Sequence, residues 1–515
     1  MNGAESLVTS LVNAGVNICF TNPGTSEMHF VAALDKVDGM RAVLGLFEGV
    51  VTGAADGYGR MTGEPAATLL HLGPGLGNGL ANLHNAKKAR SPIINIIGEH
   101  ATYHRKYNAP LQSDIQSIAA PVSDWVKTCD DPKQITKHGI EAVHAALTPP
   151  GQVATLILPA DVSWSDGAGI PEKFVDLPEA PIVSPKRVAE IAKALQKGDP
   201  SAILMDGASL SEEGLALGNR IANHTGAKLY CDTFSRRLAR GAGRAKISRL
   251  PYFGESIMDK LKDIKQFILV GAKPPVSFFA YPDKPSWLVP DGCTIHTLAE
   301  PSQNSIQALK DLAAAVNAPE DSLAVYEQER PELPTGKLDI TTAAQAVGAL
   351  MPENAIISDE SNTSGLMFLP MTKGAPKHDW MFLTGGSIGQ GLPLSVGASI
   401  ACPDRKVICL EADGSAMYTI QALWTMAREN LDVTTIIFSN RSYAILQVEF
   451  ARVGVKDLGK NANSVMSLNS PDIDFVNLAT GMGVKATRSE TADEFVEQLS
   501  DAMSEKGPRL IEVVL

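Results

Sequence analysis

Apolar runs alternate repeatedly with segments of helical length along this chain. Runs such as "VATLIL" (153–158), "QFILV" (266–270) and "VICL" (407–410) are apolar almost throughout rather than at every second position. Strands that are apolar on both faces are typical of a parallel sheet covered by helices on both sides. The alternation therefore predicts an α/β fold.

The alternation occurs in three units of comparable size, 1–165, 184–318 and 337–515. Between them lie two polar stretches without periodicity, 163–185 and 317–336, which we interpret as linkers. A chain of 515 residues is also too long for a single core. We therefore predict three consecutive, doubly wound parallel-sheet domains.

Composition narrows the class of protein. Lys and Arg total 45 against 57 Asp and Glu, a formal charge of −12, so a nucleic-acid surface is not expected. The six cysteines are scattered without CxxC spacing, which is typical of reduced thiols. The N-terminal segment is acidic and helical in pattern, and no apolar run is long enough to span a membrane. These features predict a cytoplasmic protein without a signal peptide or membrane contact.

Two polar residues follow buried strands in the last unit. Asp413 ends the apolar run in "VICLEADGS", and Asn440 ends the next run, "VTTIIFSN". Ligands of parallel sheets gather at the C-terminal ends of strands, where a carboxylate and an amide oxygen suit Mg²⁺ and a diphosphate. Gly414 and Ser415 would open a helix whose N–H groups face the same anion. Either residue alone is as well explained as a helix cap or a turn former, but the pair favours the metal site.

At these residues the sequence resembles the GDG…N signature of the thiamine-diphosphate enzymes, in the branch of acetolactate synthases and benzoylformate decarboxylases. The resemblance covers most of the chain. It implies that 1–165 is a pyrimidine-binding domain, 184–318 a middle domain and 337–515 a diphosphate-binding domain. It implies that Asp413, Asn440 and the carbonyl of Ser442 ligate Mg²⁺. The first Gly of the signature is Ala412 here, and its methyl group is expected to crowd the diphosphate slightly.

A second matching segment is "GLFEGVVTGAADGYGRMTG", in which Glu48 stands between an apolar strand and a helix of mostly small residues. A carboxyl group beside an apolar site has a raised pKa and can share a proton with a ring nitrogen. The resemblance implies that Glu48 bonds N1′ of the aminopyrimidine and so activates the cofactor. The alternative is an ordinary acidic residue in the first turn of a helix.

Further cofactor contacts follow from the resemblance. In "MFLTGGSIGQGLPLSVGASIA" (381–401), the carbonyl of Gly386 would bond the pyrimidine's 4′-amine, and Ile388 would wedge between the two rings of the cofactor. Core packing is the alternative for Ile388. In "SDESNTSG", Asn362 and Thr363 match contacts to the diphosphate, although hydroxyl-rich helix starts are common as caps.

Fewer residues indicate where the substrate would bind. His71, in "TLLHLGPGLGNG", and Thr25, in "TNPGTSE", match positions that handle protons and touch the substrate carboxylate in benzoylformate decarboxylase, and Leu446 matches a pocket-lining position. The second active-site histidine of that enzyme has no clear equivalent, because the corresponding stretch offers three aromatic residues instead: Phe278, Phe279 and Tyr281. The loop "GEHATYHRKY" adds His100 and His104, which are either proton donors or surface residues.

The resemblance implies a thiamine-diphosphate-dependent decarboxylase or carboligase of the benzoylformate type, which cleaves the bond next to a ketone with loss of CO₂ from a small 2-oxo acid. An acetolactate synthase-like ligase is one alternative, and a cofactor-binding protein with little catalysis is another. Thiamine diphosphate and Mg²⁺ are the expected cofactors. FAD is not expected, because the middle unit lacks a convincing flavin-contacting segment. In the family the first and third domains meet across a subunit boundary, so a homodimer or homotetramer is expected.

Overall fold

The computed structural model describes residues 1–166, 169, 177 and 179–515. Much of the predicted first linker, 163–185, therefore lies outside the described residues. Three α/β units with largely parallel sheets follow one another along the chain, as the apolar runs predict.

The first sheet has six parallel strands in the order β2-β1-β3-β4-β6-β5. Its strands are β1 (Ile18–Asn22), β2 (Arg41–Leu44), β3 (Ala66–Leu70), β4 (Ile93–Glu99), β5 (Trp125–Thr128) and β6 (Val153–Pro159). The accompanying helices are α1 (Gly3–Asn13), α2 (Met28–Lys36), α3 (Glu48–Thr62), α4 (Leu72–Ala89), α5 (Ile115–Ala119), α6 (Ile135–Leu147) and α7 (Ala160–Trp164). The central strands β3, β4 and β6 are buried along their whole length, because helices cover both faces.

The middle sheet has five strands in the order β10-β8-β7-β11-β12. The strands of this segment are β7 (Ser201–Met205), β8 (Lys228–Cys231), β9 (Leu238–Arg240), β10 (Ser248–Arg249), β11 (Gln266–Val270) and β12 (Thr294–Ala299). Its helices are α8 (Pro185–Gln196), α9 (Glu212–Thr225), α10 (Gly254–Leu261) and α11 (Ser305–Ala315). One strand of this segment, β9, belongs to the third sheet instead.

The third sheet has seven strands in the order β17-β18-β16-β15-β13-β14-β9. The strands from its own segment are β13 (Ile356–Glu360), β14 (His378–Phe382), β15 (Val407–Ala412), β16 (Val433–Ser439), β17 (Lys485–Ser489) and β18 (Arg509–Val514). Its helices are α12 (Ile340–Leu350), α13 (Phe368–Met371), α14 (Gly391–Ala401), α15 (Asp413–Thr419), α16 (Ala422–Arg428), α17 (Ala444–Arg452), α18 (Lys460–Ser464), α19 (Phe475–Gly481) and α20 (Ala492–Ser504). All pairs are parallel except β9 with β14, where His378 lies opposite Arg240.

Two local predictions are wrong. The segment "GPGLGNG" after β3 has a glycine content that predicts a turn, but it is helical, because α4 begins at Leu72 and includes it. Its glycines let α4 lie close to its neighbours, and a methyl group on Gly79 would lie 2.9 Å from the Thr52 methyl group of α3. The end of "SDESNTSG" is likewise a single 3₁₀ turn, Asn362–Gly365, rather than the first turn of an α-helix, and its first three residues belong to β13.

The first and third domains are packed together through α3 and α14. Gly57 and Gly397 lie in this contact, and a methyl group on either would clash with a backbone carbonyl oxygen of the other helix, Leu394 and Ala54 respectively. Nine residues of α14 are buried, from Gly391 to Ser399. The small residues that follow Glu48 therefore bring the backbone of one domain onto that of the other.

Candidate active site

Asp413 and Asn440 lie where the sequence predicts, at the C-terminal ends of adjacent strands. Strands β15 and β16 pair in parallel with Ala412 opposite Phe438, and the two polar residues follow. Asp413 is 2% exposed, and its Oδ2 accepts a hydrogen bond from the Arg441 N–H at 2.6 Å. Burial raises the pKa of Asp413. Asn440 Oδ1 accepts from the Ser442 N–H at 3.0 Å. Adjacent strand ends thus place a carboxylate and an amide oxygen in the same turn region.

The predicted diphosphate contacts also come together. Asn362 donates from Nδ2 to Ser415 Oγ at 2.9 Å, which joins the ends of β13 and β15. Asn362 has φ 51°, in the left-handed region, so the backbone turns sharply just before Thr363. Gly414 lies against the Tyr443 ring, where a methyl group would clash. These small and polar groups border Asp413.

Ala412 fits its place without backbone strain. Its φ of −85° and ψ of 147° are ordinary for any L-amino acid, and it serves as the N-cap position of α15. The departure from the family's glycine therefore needs no rearrangement of the strand end.

The glycine-rich loop between β14 and α14 carries Gly386 and Ile388. Gly386 has φ 73°, and a methyl group there would also clash with the ring of Phe278 from the middle domain. The loop is held by the first domain, because Asn82 of α4 donates to the carbonyl oxygens of both Gly49 and Gly389, at 2.8 and 3.0 Å. Ile388 is only half-buried, which disfavours a role as a core residue.

A buried arginine, which the sequence analysis missed, completes this contact. Arg60 of α3 is 1% exposed and forms an ion pair with Asp56 at 2.6 Å. Its guanidinium also donates to Phe382 O and Thr384 Oγ1, both at 2.8 Å, at the start of the glycine-rich loop. The i,i+4 acid–base pair within "ADGYGRMTG" is the signal that could have found it.

In the first domain, Glu48 and His71 border one space. Glu48 opens α3, and its Oε2 accepts from Asn78 Nδ2 of α4 at 3.0 Å. A methyl group on Gly75 would lie 3.3 Å from Glu48 Oε1 and 3.4 Å from His71 Cβ. Both side chains therefore adjoin Gly75, beyond the ends of β2 and β3.

Glu27 is a further residue of this site that the sequence analysis missed, although it stands in "TNPGTSE". It is buried, and its Oε2 lies 2.8 Å from His71 Nδ1 and accepts from the Gly24 N–H at 2.7 Å. Burial raises the pKa of Glu27, and the neighbouring His71 opposes that shift. Glu27 Oε1 has no hydrogen-bond partner among the described residues. A buried carboxyl group thus fixes the orientation of His71.

The other predicted substrate residues lie around these groups. Thr25 is exposed at the start of the 3₁₀ turn Thr25–Glu27. Leu446 is 46% exposed on α17, directly after the Asn440 turn. His100 follows β4 and stacks near His104, with ring centroids 5.4 Å apart. His100 Nε2 is buried without a partner in the described part of the chain, so this histidine is not simply a surface residue.

Beneath the glycine-rich loop lie two buried carboxyl groups, Glu360 and Glu411. Glu360 accepts from the N–H groups of Gly389 and Gly391 at the start of α14. A methyl group on Gly391 would approach both carboxyl groups, so they lie side by side. Burial raises the pKa of Glu360 to about 7 and that of Glu411 well above its ordinary value. Since Glu360 accepts two N–H bonds, the proton of the pair resides on Glu411.

We expect Glu411→Gln to fold as stably as the wild type near pH 4.5 and more stably than the wild type near neutral pH, because the amide resembles the protonated acid but has no proton to retain. Wild-type stability should fall as the pH rises above the ordinary carboxyl value of 4.5, since the folded chain keeps a proton that the unfolded chain releases. The Glu411→Gln variant should lack this contribution to the pH dependence of the unfolding free energy. Glu360→Gln is the contrasting change, because it places an NH₂ group against a backbone N–H and should destabilise. Urea unfolding across pH 4.5–8 measures all three proteins, and equal slopes for Glu411→Gln and wild type would contradict the assignment.

Comparison with known proteins decides the family. The thiamine pyrophosphate enzyme N-terminal TPP-binding domain matches residues 1–120, and the corresponding C-terminal TPP-binding domain matches 365–513. The chain belongs to the thiamine pyrophosphate enzyme family. It is 52% identical, over 100% of its length and 99% of the relative's, to a Mycobacterium tuberculosis protein named "Putative acetolactate synthase large subunit IlvX". It is 28% identical to a Pseudomonas aeruginosa benzoylformate decarboxylase, over 97% of this chain and 96% of that one.

A solved structure agrees with this membership. A thiamine diphosphate-dependent 4-hydroxybenzoylformate decarboxylase of Rhodococcus jostii superposes with a TM-score of 0.85 at 25% identity, over 99% of this chain and 98% of that one. The predicted fold and the predicted class, a thiamine-diphosphate-dependent lyase or transferase acting as a 2-oxo acid decarboxylase or acetolactate synthase-like enzyme, are confirmed. Among the helices of the described residues, none has both the length and the apolar character needed to cross a bilayer.

The residues of the third domain fit the ion that usually accompanies this cofactor. One buried carboxylate, one amide oxygen and a backbone carbonyl are hard oxygen donors, and Mg²⁺ takes few such protein ligands because diphosphate and water complete its octahedron. No cluster of three or more His, Cys, Asp and Glu side chains that could hold a metal occurs in the described parts of the chain. The donor set agrees with a shared metal–diphosphate site.

Proposed function

We propose that this thiamine pyrophosphate enzyme decarboxylates a 2-oxo acid in the manner of benzoylformate decarboxylase. The observation that carries this proposal is the pair of His71 and buried Glu27 beside Glu48. A decarboxylase that releases an aldehyde must deliver a proton where CO₂ has left, whereas a ligase joins a second carbonyl compound there. A histidine oriented by a carboxyl group is suited to that delivery.

Each residue has a proposed role. Asp413, Asn440 and the carbonyl of Ser442 would hold Mg²⁺, while Asn362, Thr363, Gly414 and Ser415 would border the diphosphate. Gly386 and Ile388 would orient the pyrimidine ring, and Glu48 would hold a proton at N1′. When bound, the thiazolium ring supplies the electron sink for the C–C cleavage. Thr25 and Leu446 would contact the substrate, and His71 Nε2 would carry the proton to the product, because Nδ1 is engaged by Glu27.

An acetolactate synthase-like reaction is the second candidate, because the relative with 52% identity carries that name. The position of Phe278 is compatible with it, since a second proton-transfer histidine is not present in "PPVSFFAYPDKP". A binding protein with little catalysis, the third hypothesis, is not supported by Ala412, whose backbone angles are ordinary.

We further propose that the active unit is at least a homodimer and is a homotetramer when fully assembled. Exposed apolar side chains surround both halves of the site in the single chain, among them Leu366 and Tyr418 in the third domain and Leu46 next to Glu48. A second copy would cover such surfaces. All six cysteines are free thiols, which supports a cytoplasmic location.

The reaction is tested by the products. The purified protein, loaded with thiamine diphosphate and Mg²⁺, is incubated separately with pyruvate, benzoylformate and branched 2-oxo acids, and the products are identified by mass spectrometry. We expect an aldehyde from at least one substrate with a bulky side chain. Acetolactate from pyruvate as the main product would select the second candidate, and cofactor binding without turnover of any substrate would select the third.

A further inference from the structure

The helix that follows the predicted metal turn is held in an unusual way. Helix α17 begins at Ala444, two residues after Ser442, yet it has no fully buried residue. Its start is tied to the turn, because Gln447 Nε2 donates to Ser442 Oγ at 3.0 Å. A helix of nine residues is marginal by itself in water. Contacts to other parts of the chain must therefore keep it in place.

The strongest of these contacts involve Arg452, the last residue of α17. Its guanidinium donates to both carboxylate oxygens of Glu255 on α10, Nη1 to Oε1 at 2.6 Å and Nη2 to Oε2 at 3.1 Å. It also lies over the rings of Phe253 and Tyr281, 4.5 and 4.3 Å from their centroids. The Arg452 side chain is only 13% exposed. A bidentate ion pair between aromatic rings is strong for a surface contact, because the charges are partly shielded from water.

The same middle-domain residues extend to the glycine-rich loop. Tyr252 donates from its hydroxyl to Glu449 of α17 at 3.4 Å, and its ring centroid lies 5.5 Å from that of Phe278. Phe278 in turn packs on Gly386. One group of middle-domain side chains therefore touches both the helix after the metal turn and the loop predicted to hold the pyrimidine ring.

We propose that Arg452 is a positioning residue for the cofactor site: by clamping α17 to the middle domain, it keeps the turn from Asn440 to Ser442 in its binding geometry. The proposal rests on the assignment of that turn to Mg²⁺ and diphosphate. Without the clamp, α17 keeps only weaker contacts such as that of Glu449 with Tyr252, and the turn that precedes it is less firmly ordered before the cofactor binds. The consequence is weaker binding of the cofactor rather than slower chemistry once it is bound.

The test measures binding and helix order separately. Thiamine diphosphate with Mg²⁺ is titrated into wild type, Arg452→Ala, Arg452→Lys and Glu255→Gln by calorimetry. Hydrogen exchange of 444–452 is followed in the cofactor-free proteins. We expect Arg452→Ala to raise the Kd about 10- to 100-fold, as loss of an outer partner of a metal site does, and to speed exchange in α17. Arg452→Lys should retain part of the affinity, because lysine keeps the positive charge but cannot make the two parallel hydrogen bonds of a guanidinium to a carboxylate. Turnover of Arg452→Ala should return to within about twofold of wild type at saturating cofactor.

A matched control is Arg428→Ala, which removes an exposed arginine that stacks on Trp424 on helix α16 of the same domain. It should change neither Kd nor exchange in α17. Glu255→Gln changes only the middle-domain side of the contact, and it should reproduce the weaker binding if Arg452→Ala fails to fold. An Arg452→Ala protein whose Kd stays within twofold of wild type would overturn the proposal, as would unchanged exchange in α17. If the wild type itself binds no thiamine diphosphate, the cofactor assignment is wrong. Hydrogen exchange still tests the clamp in that case, because unchanged exchange of α17 in Arg452→Ala would show that Arg452 does not hold the helix.

Discussion

Replacing Glu48 with Gln should lower the turnover of 2-oxo acids about 10²- to 10⁴-fold, the range that a positioned acid or base contributes. The amide keeps the size of the side chain and its contact with Asn78, but it cannot exchange a proton with N1′ of the cofactor. The affinity for thiamine diphosphate and Mg²⁺ should stay within about tenfold, because the residues proposed to hold the metal and the diphosphate belong to the third domain. Steady-state kinetics and calorimetric titration of the same preparation measure both quantities.

Glu64→Gln is the matched control, since Glu64 is an exposed acid just beyond the end of α3. It should leave both turnover and affinity unchanged. A Glu48→Gln enzyme that retains more than a tenth of the wild-type turnover would show that another group activates the cofactor.

The Asp413→Ala variant should show the opposite pattern, a loss of cofactor affinity. Asp413 supplies a buried carboxylate directly after β15, and Asn440 alone offers no charge to Mg²⁺. We expect the Kd for thiamine diphosphate at fixed Mg²⁺ to rise by about 100-fold or more, exceeding the effect of removing an outer partner of a metal site. Titration with increasing Mg²⁺ should recover part of the affinity, because the metal equilibrium is the one that is weakened.

Asp404→Ala, which removes an exposed acid just before β15, controls for the change in net charge. Its Kd should match that of the wild type. If Asp413→Ala binds the cofactor as tightly as Asp404→Ala, the carboxylate only accepts the backbone hydrogen bonds of Gly414 and Arg441, and the assignment of this turn to Mg²⁺ is wrong.

The sequence was sufficient for features that depend on local pattern. Apolar runs such as "VICL" had to be strands buried on two faces, and the polar residue after each run had to emerge at the strand's C-terminal end. Asp413 and Asn440 could therefore be placed next to each other without coordinates. Glu48 could also be predicted at the start of a helix, because the small residues that follow it are typical of a helix packed closely on another element.

Features that depend on long-range packing could not be predicted. Glu411 belongs to the strand within "VICLEADGS", but its raised pKa comes from burial in the folded chain and from Glu360, a residue of a different strand. The partnership of Glu27 with His71 joins positions 44 apart, and the contact of Arg60 with the glycine-rich loop spans more than 300. Strand β14 could not be predicted because "HDWMF" starts with two polar residues, the second of which, Asp379, is buried in ion pairs with the distant Arg237 and Arg405.

Strand β9 comes from the middle segment of the chain but pairs with β14 in the third sheet, and this limits how the enzyme can be re-engineered. Exchanging the middle domain with that of a homologue would remove Leu238–Arg240 and leave β14 as an unpaired edge strand. Such an edge invites intermolecular strand pairing and aggregation. Chimeras should therefore keep the β9 segment with the recipient's third domain and place their crossover points outside it.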